Sequence, residues 1–414
     1  MRIAVVGSGI AGLASAWLLA REHEVTLFEA NDYLGGHTHT HDVDISGRRY
    51  AVDSGFIVFN PPHYPLLHKV FDELGVESQP TTMSFAVKNE RSGLEYNATD
   101  LAGLFCQRRN LVSPRFWRML ADLKRFYRDA PALLDDPNAG PTLGEYLDEH
   151  RYSHAFAGDH LLPMASALWS SPSSQIVKFP AKYLVQFMAN HQMLQMRDRP
   201  QWRVVKGGSQ TYVRALRKNW RVRERLGCAA TRVTRDVDGV TVQSPAGTER
   251  YDQVVLACNS DQALAVLGDA GFQEREILGA MPYQDNDTVL HTDADLLPRR
   301  RRAWAAWNAI VPRDDTQACT VSYCMNLLQS LDCAEPIVVT LNRTAQIAPQ
   351  KILKRLRYQH PVYTQASVAA QKRKAEIQGV NRTWFAGAYW GWGFHEDGMR
   401  SAVDVANGLG VRWP

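Results

Sequence analysis

The chain opens on a pattern that admits few folds. Arg2 to Val6 is an apolar β-run, and Gly7-Ser8-Gly9-Ile10-Ala11-Gly12 follows it at once. Leu13 to Arg21 is rich in Ala and Leu and reads as a helix, and a second apolar run, Glu24 to Phe28, ends at Glu29. Strand, glycine turn, helix, strand and acid is the order of a dinucleotide-binding unit. The acid stands 22 positions after Gly7, near the expected spacing of about 20. In such a unit Gly7 makes the tight turn, Gly9 lets the backbone approach a pyrophosphate, and Gly12 lets helix and strand pack closely. Ile10 and Ala11 begin the helix whose N-terminus meets the phosphates, and Glu29, beside Ala30, accepts hydrogen bonds from ribose hydroxyls.

The other end supplies a matching half. A short apolar run closes on Ala386-Gly387, a loop of glycine and aromatic residues runs from Tyr389 to Phe394, and a helix with small residues begins at about Asp397. Backbone N–H groups at such a helix start can approach a flat, partly anionic ligand. Gly387, Asp397, Gly398 and Met399 are therefore candidate contacts, and with the N-terminal half they point to a flavin.

Further motifs lie between. Leu34-Gly35-Gly36-His37-Thr38 follows Glu29, then comes Val52-Asp53-Ser54-Gly55-Phe56. Val204 to Gln210 carries the pair Gly207-Gly208 into a helix with Tyr212, Val213 and Leu216, and Thr231 to Ala257 alternates like a series of strands. In these motifs the chain resembles the flavin-containing amine oxidase superfamily, which includes phytoene-desaturase-like and protoporphyrinogen-oxidase-like enzymes. The Gly-Gly-His-Thr start, Asp53 to Phe56, Leu290-His291-Thr292-Asp293, Trp304 to Asn308 and Tyr358-x-His360-Pro361 resemble a bacterial branch with fatty acid desaturases and double-bond isomerases.

The resemblance implies an α/β fold: a GR2-type Rossmann-like FAD-binding domain from residues 1–60, 200–280 and 375–414, interleaved with an α+β substrate domain from 61–199 and 281–374. It also implies cofactor contacts at Gly35, Gly36, His37, Thr38, Ser54, Gly55 and Phe56, and at the backbone near Val233. Three departures stand out. Ala388 occupies the place of an acid, His37 that of an arginine, and the closing motif has no cysteine for covalent attachment. FAD is expected to be non-covalent.

Within the two insertions, Pro65 to Leu74, Pro114 to Leu134, Thr142 to His150 and Ala181 to Leu194 have helical periodicity. Asp287 to His291, Ala303 to Val311, Ala318 to Tyr323 and Ile337 to Leu341 read as strands. Phe156, Trp169, Phe179, Phe187, Met188 and Met193 serve either a core or an apolar substrate tunnel.

Composition removes several function classes. A formal net charge of +4 is too small to imply a nucleic-acid partner. No apolar stretch approaches the roughly 18 residues of a membrane span, and the N-terminal apolar residues belong to the first strand rather than to a leader. The six cysteines have no metal-ligand spacing and read as small buried hydrophobes. A cytoplasmic location is expected, with peripheral attachment at the inner face of the membrane an open alternative. That alternative comes from Arg108-Arg109 and residues 115–128, where Phe116, Leu120, Leu123 and Tyr127 would share one face of a basic helix. An ordinary helix packed on the protein explains the same pattern. Arg299 to Arg302 reads as an exposed basic loop.

A second dinucleotide fingerprint is missing, which argues against a nicotinamide-driven reductase. Reduced flavin would then be reoxidised by oxygen or a quinone-like acceptor, or return its hydride to the substrate. His395, with a pKa that is easily tuned, and Tyr389 are the candidate catalytic residues. Phe394-His395 stands where an amine oxidase places half of its aromatic cage. His37, His39 and His41 alternate beside the glycine pair, in a position suited to flavin rather than to a metal, and no metal is expected. The leading expectation is a desaturase of unsaturated fatty acyl chains, free or in phospholipid. A redox-neutral double-bond isomerase, an amine oxidase and a non-catalytic flavoprotein partner of a lipid-modifying enzyme are the alternatives.

Overall fold

A computed structural model describes residues 1–135, 140–169, 172–195, 199–314 and 319–414. At its centre lies a five-stranded sheet in the order Val222–Arg225, Glu24–Phe28, Arg2–Val6, Gln253–Leu256, Thr383–Phe385, with every pairing parallel. Parallel strands are covered on both faces, which is why they read as unbroken apolar runs. Ile3, Val5, Leu27 and Val255 point to one side and pack with Leu13, Ala16, Met399 and Ala402 from the helices Ile10–Leu19 and His395–Gly408. Ala4, Phe28, Val254 and Leu256 point to the other, against Val240, Val242 and Tyr251. Those residues come from an antiparallel meander of Arg232–Asp236, Gly239–Ser244 and Gly247–Tyr251.

Small residues set the spacing of the two helices. A Cβ on Gly398 would come within 2.6 Å of the Ile10 side chain, and one on Gly12 within 1.9 Å of the Gly7 carbonyl oxygen. The first and last helices of the chain therefore bring their N-termini together beyond the C-terminal ends of the parallel strands.

A second sheet has seven strands, in the order Ile352–Pro361, Tyr283–His291, Val338–Leu341, Thr320–Cys324, Trp307–Val311, Phe85–Asn89, Glu95–Asn97. All its pairings are antiparallel except Trp307–Val311 with Phe85–Asn89. The last two strands lie in a stretch that reads as helical. They are too short to register against the longer helical periodicities around them. Ala303 forms part of a 3₁₀ turn, so the expected strand begins only at Trp307. Ala318, where another was expected to begin, lies outside the described residues.

Helices Pro114–Asp129, Leu162–Trp169 and Ala181–Asn190 pack into an aromatic cluster beside this sheet. The first is shorter than its periodicity suggests. Pro131 has no N–H to continue the ladder, and Ala130–Leu134 tightens into a 3₁₀ turn. Its apolar face is turned inward: Phe116, Met119 and Phe126 are buried, with Leu120, Leu123 and Tyr127 packed partly against them. No helix among the described residues is long and apolar enough to cross a membrane.

Candidate active site

The cleft begins at the first glycine turn. Gly7 has φ of 98°, a region open to glycine alone without strain, and its N–H donates to Phe28 O at 2.8 Å. Gly9 caps the helix Ile10–Leu19 in an extended conformation with no side-chain cap. A Cβ placed on Gly9 would meet nothing within 4 Å, while one on Gly36 would touch Gly9 Cα at 3.0 Å. The start of the helix thus opens on free space bounded by the second glycine loop. First-turn N–H groups, here those of Ile10, Ala11 and Gly12, have no partner within a helix and carry its positive end, so this space suits phosphate oxygens.

Glu29 is buried beside it. Its Oε2 accepts from Ser8 N at 2.9 Å and Ser8 Oγ at 2.6 Å, and its Oε1 accepts from Asn31 N and Nδ2, both at 2.8 Å. Two of these four donors are rotatable side chains that can yield to ribose hydroxyls. Ala30 is exposed.

The second glycine loop is pinned by the next motif. Phe56 N donates to His37 O at 2.8 Å and Ser54 N to His39 O at 3.1 Å. Gly55 fits because a Cβ there would lie 2.3 Å from His37 O. Ser54 Oγ is taken up by His41 Nε2 at 2.9 Å and the Tyr358 hydroxyl at 2.6 Å, so this side chain braces the loop against the second sheet. His37 stacks on Tyr358 at 4.9 Å and lies 5.2 Å from His360. Burial pushes its pKa down to about 4. The imidazole is therefore neutral and cannot replace the charge of the arginine it stands for. Its buried Nε2 has no hydrogen-bond partner among the described residues, as a contact to a polar ligand group would require.

At the closing loop the expected residues separate. Tyr389 is buried in the core on the meander side of the sheet, 4.9 Å from Trp390. Its ring fills the space where a Gly387 side chain would stand, and its hydroxyl has no hydrogen-bond partner among the described residues. It does not meet His395, and the structure gives it a packing role rather than a catalytic one. Val233 is likewise committed elsewhere: it is fully buried, and its carbonyl receives the Gly268 N–H at 2.8 Å. The backbone lying against Glu29 is instead that of Cys228, whose N–H donates to Glu29 O at 2.8 Å. Met399 contributes its side chain to the core, leaving only its backbone for a ligand.

Asp397 builds the loop. Its Oδ2 accepts from Trp392 N at 3.0 Å and Phe394 N at 3.1 Å, and Oδ1 meets Arg400 at 3.2 Å. Burial raises its pKa to about 6. Glu396, which sequence reasoning passed over, receives Leu66 N and Leu67 N at 3.0 and 3.1 Å, at the start of the helix Pro65–Leu74.

Phe394 and His395 then diverge. His395 lies on Phe56 and bonds to Thr38, whose Oγ1 also meets the Tyr212 hydroxyl. Burial holds its imidazole well below its usual pKa, so it is neutral. Phe394 turns to the helical insertion, stacking on Phe187 at 5.2 Å and approaching His191 at 5.7 Å. Trp392, Tyr183 and Tyr363 complete this aromatic nest: Tyr183 stacks on Tyr363 at 5.0 Å and donates its hydroxyl to Gly391 O at 3.0 Å. Tyr183, Phe187 and His191 follow one another at four-residue steps, a helical face the sequence already displays. Tyr363 carries no such local signal.

His191 Nδ1 lies 2.9 Å from Phe187 O. A carbonyl only accepts, so Nδ1 carries the proton and Nε2 the lone pair. Among the described residues no group of three His, Cys, Asp or Glu side chains is placed to hold a metal ion. His39 stacks on Tyr33 at 4.0 Å instead.

The sequence matches the family of flavin containing amine oxidoreductases over residues 10–288. A Mycobacterium tuberculosis protein with the provisional name of flavin-containing monoamine oxidase is 26% identical over 284 residues, 64% of this chain and 58% of that protein. The chain thus spans little more than half the length of this curated relative. A 1-hydroxycarotenoid 3,4-desaturase of Flavobacterium is 39% identical over 75 residues, 18% of this chain and 14% of that enzyme. Among solved structures, a CLA-producing fatty acid isomerase from P. acnes superposes with a TM-score of 0.68 at 17% identity, covering 99% of this chain and 98% of the other. At that identity the likeness is one of fold.

Proposed function

Because the chain belongs to the flavin-containing amine oxidoreductase family, we propose that it is an FAD-dependent desaturase that takes a hydride from an unsaturated fatty acyl chain, free or in phospholipid. FAD is the cofactor of this family. The residues present fit it: the open helix start at Gly9 would hold the pyrophosphate, Glu29 the ribose, and the start of His395–Gly408 the flavin ring. With no cysteine in the closing motif, it would be held non-covalently. When bound, FAD supplies a two-electron acceptor for a hydride.

The observation that carries the acyl reading is the nest beside the closing loop. It is built from the packed rings of Tyr183, Phe187, Tyr363, Trp392 and Phe394, together with a His191 whose pKa burial lowers to about 4 and so keeps neutral. An ammonium group held there would be attracted by the ring faces, but no carboxylate beside it is free to pair with it. The two nearest in sequence, Glu396 and Asp397, already accept backbone N–H groups, and Asp397 also pairs with Arg400. An apolar chain asks for no such partner.

At an allylic carbon the C–H bond breaks and its electron pair leaves with the hydrogen as hydride. The substrate is left as a delocalised cation. His191 Nε2 then takes a proton from the neighbouring carbon, and the electron pair of that C–H bond becomes the new double bond. A weak base suffices, since such a cation is strongly acidic. An oxygen- or quinone-type oxidant removes the two electrons afterwards.

Purified FAD-loaded protein would be mixed anaerobically with monounsaturated fatty acid, with its phospholipid ester and with polyamines. Flavin bleaching by lipid, with product lighter by two hydrogens, supports the proposal. An isomerised product of unchanged mass, formed without net bleaching, would replace desaturation by isomerisation. Bleaching by amines alone would sink the acyl reading, and bleaching by nothing would favour a non-catalytic flavoprotein.

A further inference from the structure

Two arginine-rich segments nearly two hundred positions apart meet on one face of the protein. The helix Leu101–Leu104 packs against the 3₁₀ turn Arg301–Ala303. Glu95 fastens the arrangement, its carboxylate accepting Arg299 N at 2.9 Å and Arg300 N at 3.2 Å, while Asn97 donates to Trp304 O at 2.9 Å. Arg108, Arg109 and the run Arg299 to Arg302 thereby join one surface. All six are exposed, and none forms an ion pair among the described residues.

At the same place the chain exposes large apolar side chains. Leu101 is 73% exposed, Leu111 51%, Val112 81% and Trp117 50%. The Trp117 indole N–H is already spent on Leu111 O at 2.8 Å, so what the ring offers outward is apolar. These residues come from the short helix, the turn Arg108–Val112 and the first turns of Pro114–Asp129. The long apolar face of that last helix is buried, so the exposed feature is its N-terminal end with the turn before it. Beside it Arg299, Arg300, Arg313 and Lys88, with Glu90 and Glu95, line a cavity of about 630 Å³. An apolar tip ringed by unpaired cations matches one partner surface, an anionic interface with hydrocarbon beneath it.

We propose that this face, residues 101–118 with Arg299 to Arg302, docks on anionic phospholipid bilayers, inserting Leu101, Leu111, Val112 and Trp117 at headgroup depth. The docking does not depend on the acyl-chain reading of the active site.

Vesicle co-sedimentation of the FAD-loaded full chain tests it, with phosphatidylcholine vesicles made with and without phosphatidylglycerol. Binding is expected only to the anionic vesicles and is expected to weaken with added salt. Arg108→Glu with Arg302→Glu should lower the affinity by about five-fold or more for each cation lost. Leu111→Asp with Val112→Asp should abolish binding even at low salt. All four positions are exposed, so retained flavin absorbance and an unchanged melting temperature will show that the variants fold. Absence of binding by the parent protein, or equal binding by both double variants, overturns the proposal. Turnover of detergent-dispersed lipid without vesicle binding would remove this surface and leave the active-site reading standing. Binding without turnover would do the reverse.

Discussion

His395 lies flat on Phe56, with ring centroids 3.7 Å apart and planes 17° from parallel, and its Nε2 sits 2.9 Å from Thr38 Oγ1. One imidazole thus joins three segments: the closing loop, the glycine pair and the strand-end motif at Asp53 to Phe56. These contacts brace the two halves of the cleft against each other. His395→Ala is expected to lose most bound FAD, measured as the ratio of flavin to protein absorbance. His395→Gln, which can still reach Thr38, should retain more. Full flavin content in both variants would remove this bracing role.

The His191 ring packs against Phe187, Trp392 and Phe394 and stacks on His63 at 5.0 Å, with Nδ1 committed to Phe187 O. His191→Phe keeps the ring and its stacking but deletes the acceptor. If His191 takes the substrate proton, the rate of flavin reduction by acyl substrate should fall by about 10²-fold or more, with flavin content unchanged. An unaltered rate in stopped-flow absorbance would exclude His191 from the chemistry.

Gly398 is a matter of space. Its added Cβ would meet Ile10 Cγ2 at 2.6 Å, where the two helix starts converge. Gly398→Val should overpack this contact and cost roughly 1–3 kcal/mol, read as a lower melting temperature together with weaker FAD retention. A variant as stable as the parent and equally yellow would show that the helices can part without consequence.

Acid should unfold this protein through its histidines. Burial lowers the pKa of His37, His160, His191 and His291 to about 4 and of His41 and His360 to about 3. Below the ordinary value near 6.5 the unfolded chain gains protons that the folded one refuses, so stability falls as pH drops from 6.5 toward 4. Asp53 and Asp397, both raised to about 6 by burial, act in the opposite sense, favouring the folded state at acid pH and losing that effect as pH rises from about 4 to 6. Six groups against two leaves the histidines dominant. Denaturant midpoints measured from pH 7 down to pH 4 should decline steadily, and a midpoint that rose on acidification would contradict this balance.

The central sheet and its cofactor cradle are legible in the sequence because they are written locally. An apolar run, a glycine spacing and an acid at fixed distance each act within thirty residues, and the strands at 2–6 and 24–28 follow. The site's interior is less legible. Phe394 and His395 are adjacent in sequence, and only the turn held by Asp397 sends one ring to Phe187 and the other to Phe56. Tyr389 looks as exposed to chemistry as its neighbours, yet it is the residue that fills the space beside Gly387. Val233 carries a strand's pattern, but the Gly268 N–H that occupies its carbonyl comes from a distant segment. Tyr363 lies beside Tyr183 because the loop after the strand Ile352–Pro361 reaches the helix Ala181–Asn190, 180 residues apart in chain order. Such placements depend on contacts that no local pattern encodes.

The first strand, Arg2–Val6, is flanked by Glu24–Phe28 on one side and Gln253–Leu256 on the other, with Thr383–Phe385 beyond. Half of its hydrogen-bonding edge therefore waits for chain made more than two hundred residues later. During synthesis at ribosomal speed of about 5–20 residues per second, that edge stays open for many seconds, apolar and unpaired. The cofactor cleft cannot close until the segment carrying His395 has emerged. Flavin that binds the finished cleft stabilises the folded chain, and so competes with aggregation at this stage.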